Sequence, residues 1–294
     1  MKNKLVMTLL VRDEEDILEY NICHHLNQGV DFIIAIDNGS KDKTPEILDK
    51  YQKKGVLSFS VIKEHTYEQA LWVSQMAKIA VNKFNATHLF HCDADEFWFP
   101  VDGNLKRVLP KRDEVFYVLV INYIPPQGLY DKAFSFRKFH YIVSRPYDYP
   151  SKLAKQRSYE LLLYKYPMKI LTPKDFTNIT AGNHDVVADK PFKKVIHSKI
   201  FIHHFPIRSL QQFGERVIKG GSAMENSPIK DPNINWHIRS WYELYKKGEL
   251  REEYNKLSLK ENIQELEKQG VIKKVGVPRR IRWAKIIYRL KNIV

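Results

Sequence analysis

Cysteine is scarce: Cys23 and Cys92 are the two in a chain of 294 residues. Two thiols are too few for a disulfide framework or a four-thiolate metal site, so the expected setting is a reducing cytoplasm. Long apolar runs are missing too, and no stretch reaches the roughly 18 residues that a membrane-spanning helix needs. The opening, MKNKLVMTLLVRDEED, holds seven mostly apolar positions before charge returns. No small-residue cleavage site follows, which argues against a signal peptide. There is no internal repeat and no low-complexity linker. Acidic residues are outnumbered, 34 against 48 Lys and Arg, for a net charge of +14. That balance points to an anionic partner without choosing among nucleic acid, anionic lipid, a nucleotide and an acidic glycan.

What is present suits a globular chain: 44% hydrophobic and 28% charged residues. The first hundred residues alternate strand and helix. KLVMTLLV (4–11), DFIIAID (31–37), VLSFSVI (56–62) and HLFHCD (88–93) read as strands. Between them lie helical patterns. One carries Leu18, Ile22 and Leu26 on one face and stops at Gly29; another takes Thr44 as N-cap, Pro45 as first residue and Gly55 as its end. A third covers 68–84. Such alternation implies an α/β fold with a parallel sheet covered by helices, whose ligands bind at the carboxyl ends of the strands. Three of those ends are polar: Arg12-Asp13-Glu14, Asp37-Asn38-Gly39-Ser40 and Asp93-Ala94-Asp95. They are expected to converge on one crevice. The middle, 115–205, reads as strands and loops, with VFYVLVINYI the clearest strand. A helix over 207–223 is expected to end at Gly220-Gly221, and charged helices fill 240–268.

The stretch HLFHCDADEFWFP crowds Asp93, Asp95 and Glu96 between an apolar strand and an aromatic cluster. Like charges repel there, and burial worsens the repulsion. A positive group is therefore expected among them. Asp-x-Asp at a strand end suits a hard divalent cation, Mg²⁺ or Mn²⁺, that shares its shell with substrate phosphates and water.

These pieces together resemble the family 2-type glycosyltransferases with the nucleotide-sugar-binding GT-A fold. VRDEEDILEYNICHHLNQGVDFIIAIDNGSKDKT, DADEFW, GNHDV and HHFPIRSLQQFGERVIKGG are similar to one branch of that family, in the same order, over about residues 4–225. The resemblance implies a mixed, mostly parallel GT-A sheet flanked by helices over 1–225; the charged helices and basic tail that follow are read as a helical C-terminal extension over 226–294. It implies that Arg12 and Glu14 line the nucleotide pocket, that Asp37 accepts a hydrogen bond from base or ribose, and that Ser40 and Asp42 shape the turn below it. Asp13 stands where the family has Asn. Asp93 and Asp95 would form the metal motif, with His204 completing the shell; His203 alternates with His204, so one of the two faces the site. The acceptor base would be Asp185 or its neighbour His184, in place of the family's acidic pair. The implied reaction is inverting transfer from a nucleoside-diphosphate sugar, a UDP-sugar first, to a glycan or lipid-linked acceptor in bacterial surface-polysaccharide synthesis. His24, His25, His65 and His197 are read as non-catalytic, Trp98 as core or sugar-stacking, and Arg216 and Lys219 as a solvated helix face.

After Pro278 the composition changes. On a helical wheel Trp283, Ile286, Ile287 and Leu290 share one face, and Arg282, Lys285 and Arg289 another. This pattern suits a helix lying on anionic lipid, peripheral on the inner face of the membrane; a terminal helix packed on its own domain is the alternative. Two other functions compete. A sugar-phosphate nucleotidyltransferase would want a Gly-rich basic loop after the first strand, where LLVRDEED is acidic. A basic nucleic-acid-binding protein would want a recognisable zinc-finger, helix-turn-helix or RNP-like pattern, and none occurs, so no nucleic-acid partner is expected.

Overall fold

The computed structural model describes residues 3–62, 69–131, 134–148, 158–225 and 236–291. In chain order it runs β1 (Leu5–Val11), α1 (Leu18–Asn27), β2 (Phe32–Asp37), α2 (Thr44–Lys53), β3 (Leu57–Val61), α3 (Gln69–Phe84), β4 (His88–Asp93) and β5 (Glu96–Pro100). There follow β6 (Glu114–Asn122), β7 (Tyr141–Val143), β8 (Lys169–Pro173), β9 (Asn178–Ile179), β10 (Val186–Val187) and β11 (Lys193–His204). The last part is α4 (Leu210–Glu225), α5 (Trp236–Lys246), α6 (Leu250–Ser258), α7 (Lys260–Lys268), β12 (Ile272–Lys274), α8 (Arg279–Arg282) and α9 (Ala284–Lys291). The expected α/β class is what the chain adopts. Among the described residues no helix is long and apolar enough to cross a membrane.

By internal packing the chain forms two compact units, 1–120 with 167–204 and 278–294, and 121–166 with 205–277. A cut at residue 225 is a different division, and it falls next to residues outside those described. The first unit carries most of an eight-stranded sheet of order β3-β2-β1-β4-β8-β6-β11-β5. β3, β2, β1 and β4 are parallel, whereas β8 joins β4 antiparallel. The sheet is thus mixed, parallel through β3, β2, β1 and β4 and antiparallel in the β4–β8, β8–β6 and β11–β5 pairs. Strands buried on both faces explain the near-continuous apolar runs of β1, β2 and β4. Val6, Ile34, Ile36 and Leu89 pack under Trp72, Val73, Met76, Ala77 and Ala80 of α3. Each such large apolar side chain contributes about 1.5–3 kcal/mol on burial.

In the second unit α4, α5 and α6 bury Phe213, Val217, Trp241 and Tyr254 together. Here α4 does not stop at Gly220-Gly221 but runs on to Glu225. The glycines serve close approach: a Cβ at Gly221 would lie 2.1 Å from Tyr242 Cγ, and one at Gly220 2.9 Å from Ile238 Cγ2. The charged segment after 240 is broken at Gly248, whose φ of 78° ends the helical path, and again at Leu259.

The tail, α8 with α9, packs on α1. Ile281, Ala284 and Tyr288 are buried, Asn27 Nδ2 donates to Ala284 O at 2.9 Å, and Lys285 Nζ lies 3.0 Å from Glu19 Oε2. The alternative of a terminal helix packed on its own domain therefore holds for one side of this helix.

Candidate functional site

Parallel pairing brings the three polar strand ends side by side. Val11 is level with Asp37, and Leu10 with Asp93. The loops after β1 and β2 are stapled to each other. Asp13 N donates to Ser40 Oγ (2.9 Å), Lys41 N to Asp13 Oδ1 (2.7 Å), Glu14 N to Thr44 Oγ1 (2.9 Å) and Glu15 N to Asp42 Oδ2 (3.0 Å). Two points of sequence become physical here. Asp13 has a φ of 55°, a left-handed conformation that Asn and Asp tolerate better than other side chains, so Asp in place of Asn fits. Thr44 is not the N-cap of α2; that residue is Lys43, with no side-chain cap bond, and the Thr44 hydroxyl is committed to Glu14 instead.

Asp37 is 1% exposed, and its Oδ1 accepts from Ser40 N (3.0 Å) and Ser40 Oγ (2.5 Å). Beside it, Asn38 Oδ1 and Arg12 Nε are buried with no hydrogen-bond partner. Buried polar atoms are normally satisfied; for Arg12 Nε the Asp13 carboxylate lies 3.9 Å away.

The Asp93-Ala94-Asp95 turn hangs on α1. Asn21 Nδ2 donates to the carbonyls of Asp93 (3.2 Å), Ala94 (3.0 Å) and Glu96 (2.7 Å). His25 Nε2 accepts from Trp98 N (3.2 Å), which leaves Nδ1 to donate to Asn21 O (2.9 Å). Burial, with His24 beside it, pushes the His25 pKa well below its ordinary value, so the imidazole is neutral. His24 holds Trp98 O at 2.9 Å. The two histidines thus splint β5, and Trp98 is fully buried. His65 lies outside the described residues.

The positive group among the carboxylates is Lys169, at the start of β8. Its Nζ lies 2.7 Å from Asp93 Oδ2 and 2.6 Å from Glu96 Oε1, with 3% of the lysine side chain exposed. Burial opposes its charge, but Asp93 and Glu96 outweigh burial and raise its pKa. Burial would raise Asp93 as well; Lys169 and His91 reverse the sign and hold it well below the carboxylate range. Glu96 is pushed up to about 7 because burial, with Asp93 and Asp95 near, exceeds what Lys169 offsets. His91 Nε2 lies 3.6 Å from Asp93 Oδ1, and its Nδ1 is 3.0 Å from Thr8 Oγ1.

On the far side of the turn, His204 Nε2 lies 3.6 Å from Asp95 Oδ2, both side chains nearly buried. His204 is level with Glu96 across the β5–β11 pair. His203 faces the other way, edge-on to Phe99 at 5.3 Å, and burial takes its pKa down to about 3.

The GNHDV loop follows β9. Asn183, at φ 60°, ties it to β4 and β8 by donating Nδ2 to His91 O (3.1 Å) and Ile170 O (2.9 Å). His184 Nδ1 donates to Met168 O (2.9 Å), so its Nε2 carries the lone pair. Burial lowers its pKa, and Lys169 lowers it further. Asp185 turns to a cavity of about 310 Å³ lined by Tyr117, Lys190, Phe192 and Lys194 among others. It accepts from Tyr117 Oη (2.5 Å) and Lys194 Nζ (2.8 Å). Burial would raise its pKa, but those two bonds prevail and lower it. Tyr117 is level with Ile170 and Val118 with Lys169, so Tyr117 and Lys169 leave the β6–β8 pair on opposite faces. Arg12, Asp37, Asp93, Asp95 and His204 thus gather around the strand ends and the turn. His184 is near enough to feel the Lys169 charge, whereas Asp185 is held by Tyr117 and Lys194, with Tyr117 on the opposite face of the β6–β8 pair from Lys169.

Sequence reasoning missed Lys169, Asn21, Tyr117 and Lys194. One lysine among 48 basic residues carries no local signal, and the pairing of β8 with β4 spans long stretches of chain.

No family model matches the sequence, and no curated protein matches it. Among solved structures, S. aureus TarS 1–349 aligns at 11% identity over 98% of this chain and 92% of its own, with a TM-score of 0.35. The same protein in complex with UDP aligns at 14% identity over 99% and 88%, TM-score 0.34. A mycobacterial protein aligns at 15% identity over 78% and 76%, TM-score 0.34. Superpositions this loose leave the functional reading to the chain's own residues.

Proposed function

We propose that this chain is a metal-dependent, inverting glycosyltransferase. It moves a sugar from a nucleoside-diphosphate sugar, a UDP-sugar first, to a hydroxyl of a glycan or lipid-linked acceptor, in bacterial surface-polysaccharide synthesis. The observation that carries the reading is the convergence at three parallel strand ends: Arg12, whose Nε has the Asp13 carboxylate 3.9 Å away, and Asn38 beside Asp37, and next to them the Asp93-Ala94-Asp95 turn backed by His204. Polar groups at the carboxyl ends of a parallel sheet are where nucleotides bind in such folds.

Arg12, Glu14, Asp37 and Asp93 are assigned to the nucleotide. Asp93, Asp95 and His204 are assigned to Mn²⁺ or Mg²⁺. Of these, Asp95 would offer hard oxygen and His204 an imidazole nitrogen 3.6 Å away, whereas Asp93 Oδ2 is engaged by Lys169 at 2.7 Å. Among the described residues no three His, Cys, Asp or Glu side chains are grouped so as to hold a metal ion by themselves. Diphosphate and water would fill the remaining positions, as is usual for Mg²⁺. The ion would neutralise charge on the departing diphosphate.

The acceptor proton needs a base. Asp185 and His184 are the two assigned to it. His184 is neutral near neutral pH and keeps a lone pair on Nε2; Asp185 is ionised and oriented by Tyr117 and Lys194. One base and one displacement invert the anomeric centre.

A thermal-shift screen of nucleoside diphosphates and nucleotide sugars, with and without Mn²⁺, tests the reading, because a ligand bound to the native state raises its stability. The expected result is a midpoint shift with a nucleoside diphosphate that grows with Mn²⁺. No shift with any of them would contradict it.

A further inference from the structure

The tail helix has two sides, and one of them packs on α1. Ile281, Ala284 and Tyr288 face inward, where Ala284 O is held by Asn27. Two of the basic residues are also turned to the protein. Lys285 pairs with Glu19 and lies 3.9 Å from the centre of the Tyr20 ring. Arg280 lies 5.8 Å from the centre of the Phe99 ring, and its guanidinium fills the space where a Cβ at Gly103 would sit.

The other side is a stripe along the outside. Trp283 is 41% and Ile286 45% exposed, and Arg279 and Arg289 are exposed at either end. Successive spacings of four, three and three residues place Arg279, Trp283, Ile286 and Arg289 on one helical face. Helical bonds run through the junction of α8 and α9, Trp283 N to Arg279 O and Ile287 N to Trp283 O, each 2.9 Å. The arrangement differs from opposed apolar and basic faces: the inward-turned Lys285 does not belong to the outer side, and two arginines bracket an apolar centre. The side chain of Leu290 lies outside those described. No Asp or Glu occurs between 277 and 294.

We infer that this outer face of α8–α9 docks on an anionic membrane surface, with Trp283 and Ile286 entering the head-group layer and Arg279 and Arg289 meeting lipid phosphates. An aromatic and an aliphatic side chain flanked by long cationic ones suit that boundary, because arginine stems lie along apolar surface while their heads reach phosphate. The acid-free sequence supplies the charge complementarity. Since the inner face anchors the helix, the domain itself is held at the membrane, independently of which nucleotide it binds.

The test is co-sedimentation of the full chain with phosphatidylcholine vesicles, with and without phosphatidylglycerol, at low and high salt. The expected result is binding that needs the anionic lipid and is reversed by salt. Arg279→Glu with Arg289→Glu should weaken binding by about fivefold or more per arginine. Trp283→Ser with Ile286→Ser should weaken it as well, while the thermal midpoint and nucleotide binding stay as in the unaltered chain. If that pair melts early, Ile286→Ser alone carries the same readout. Equal sedimentation with neutral vesicles, or undiminished binding by either pair of variants, would overturn the inference.

Discussion

Lys169 Nζ sits 2.6 Å from Glu96 Oε1 at a point where 3% of the lysine and 1% of the glutamate side chain reach solvent. This ion pair lets the chain bury Glu96 behind an apolar strand, and the same ammonium reaches the half-buried Asp93. Two carboxylates and one ammonium still leave an excess of negative charge beside Asp95. Taking away the lysine would strand charge in a low dielectric. Lys169→Met should cost about 3–5 kcal/mol in urea denaturation. Adding Glu96→Gln should recover a large part of that loss, because the neutral amide no longer needs a counter-charge. Simple additivity of the two changes would show that they do not share one interaction.

Asp95→Ala removes the oxygen proposed to hold the cation, without removing either partner of the Lys169 ion pairs. Transfer is expected to fall by about 10²–10³-fold, the scale of losing one charge-stabilising group in an active site. The denaturation midpoint should stay near that of the unaltered chain. Full activity of the variant, or of the unaltered chain in excess chelator, would rule out the metal assignment.

The base is decided by two variants measured side by side. Asp185→Asn keeps the Tyr117 and Val186 contacts in shape but has almost no basicity. A loss of about 10²–10⁴-fold in turnover with donor binding retained would mark Asp185 as the base. The same loss in His184→Ala, with Asp185→Asn near normal, would transfer the role to His184.

Asp37 serves the turn through Oδ1, which holds both Ser40 donors. Asp37→Ala should therefore cost about 1–3 kcal/mol of stability. It should also weaken nucleoside-diphosphate binding while leaving Mn²⁺ binding in place. An unchanged dissociation constant in calorimetry would take Asp37 out of the nucleotide pocket.

Glu19 gives a pH dependence with a definite sign. Burial would raise its pKa, but hydrogen bonds from Lys50 and Lys285 lower it from 4.5 to about 2. A carboxylate depressed in the folded state contributes stability that is present above its ordinary pKa and lost as pH falls through the folded value. Stability should thus fall between about pH 4.5 and 2 partly through this group. Glu19→Gln should be less stable near neutrality and show a shallower acid limb. Parallel acid limbs would remove Glu19 from the account.

Much of the first unit was legible because its signals are local. Apolar runs marked β1, β2 and β4, and polar residues marked their ends at Arg12, Asp37 and Asp93. What was not legible depends on long-range pairing. The positive group expected among Asp93, Asp95 and Glu96 includes Lys169, which reaches Asp93 and Glu96 from β8, far along the chain. Gly220-Gly221 reads locally as a helix stop, yet Tyr242 and Ile238 use the bare backbone as a packing surface. Thr44 has the composition of a cap, but tertiary contact with Glu14 claims its hydroxyl. The wheel of the tail could not reveal that Glu19 and Tyr20 draw Lys285 inward.

The central claim is that the strand-end crevice binds a nucleoside diphosphate together with a divalent cation. Calorimetric titration of UDP into the unaltered chain and into Asp95→Ala, each with and without Mn²⁺, measures it most directly. The account predicts binding that Mn²⁺ strengthens in the unaltered chain and does not strengthen in Asp95→Ala. Binding that is indifferent to Mn²⁺ in both, or equally strengthened in both, would contradict it.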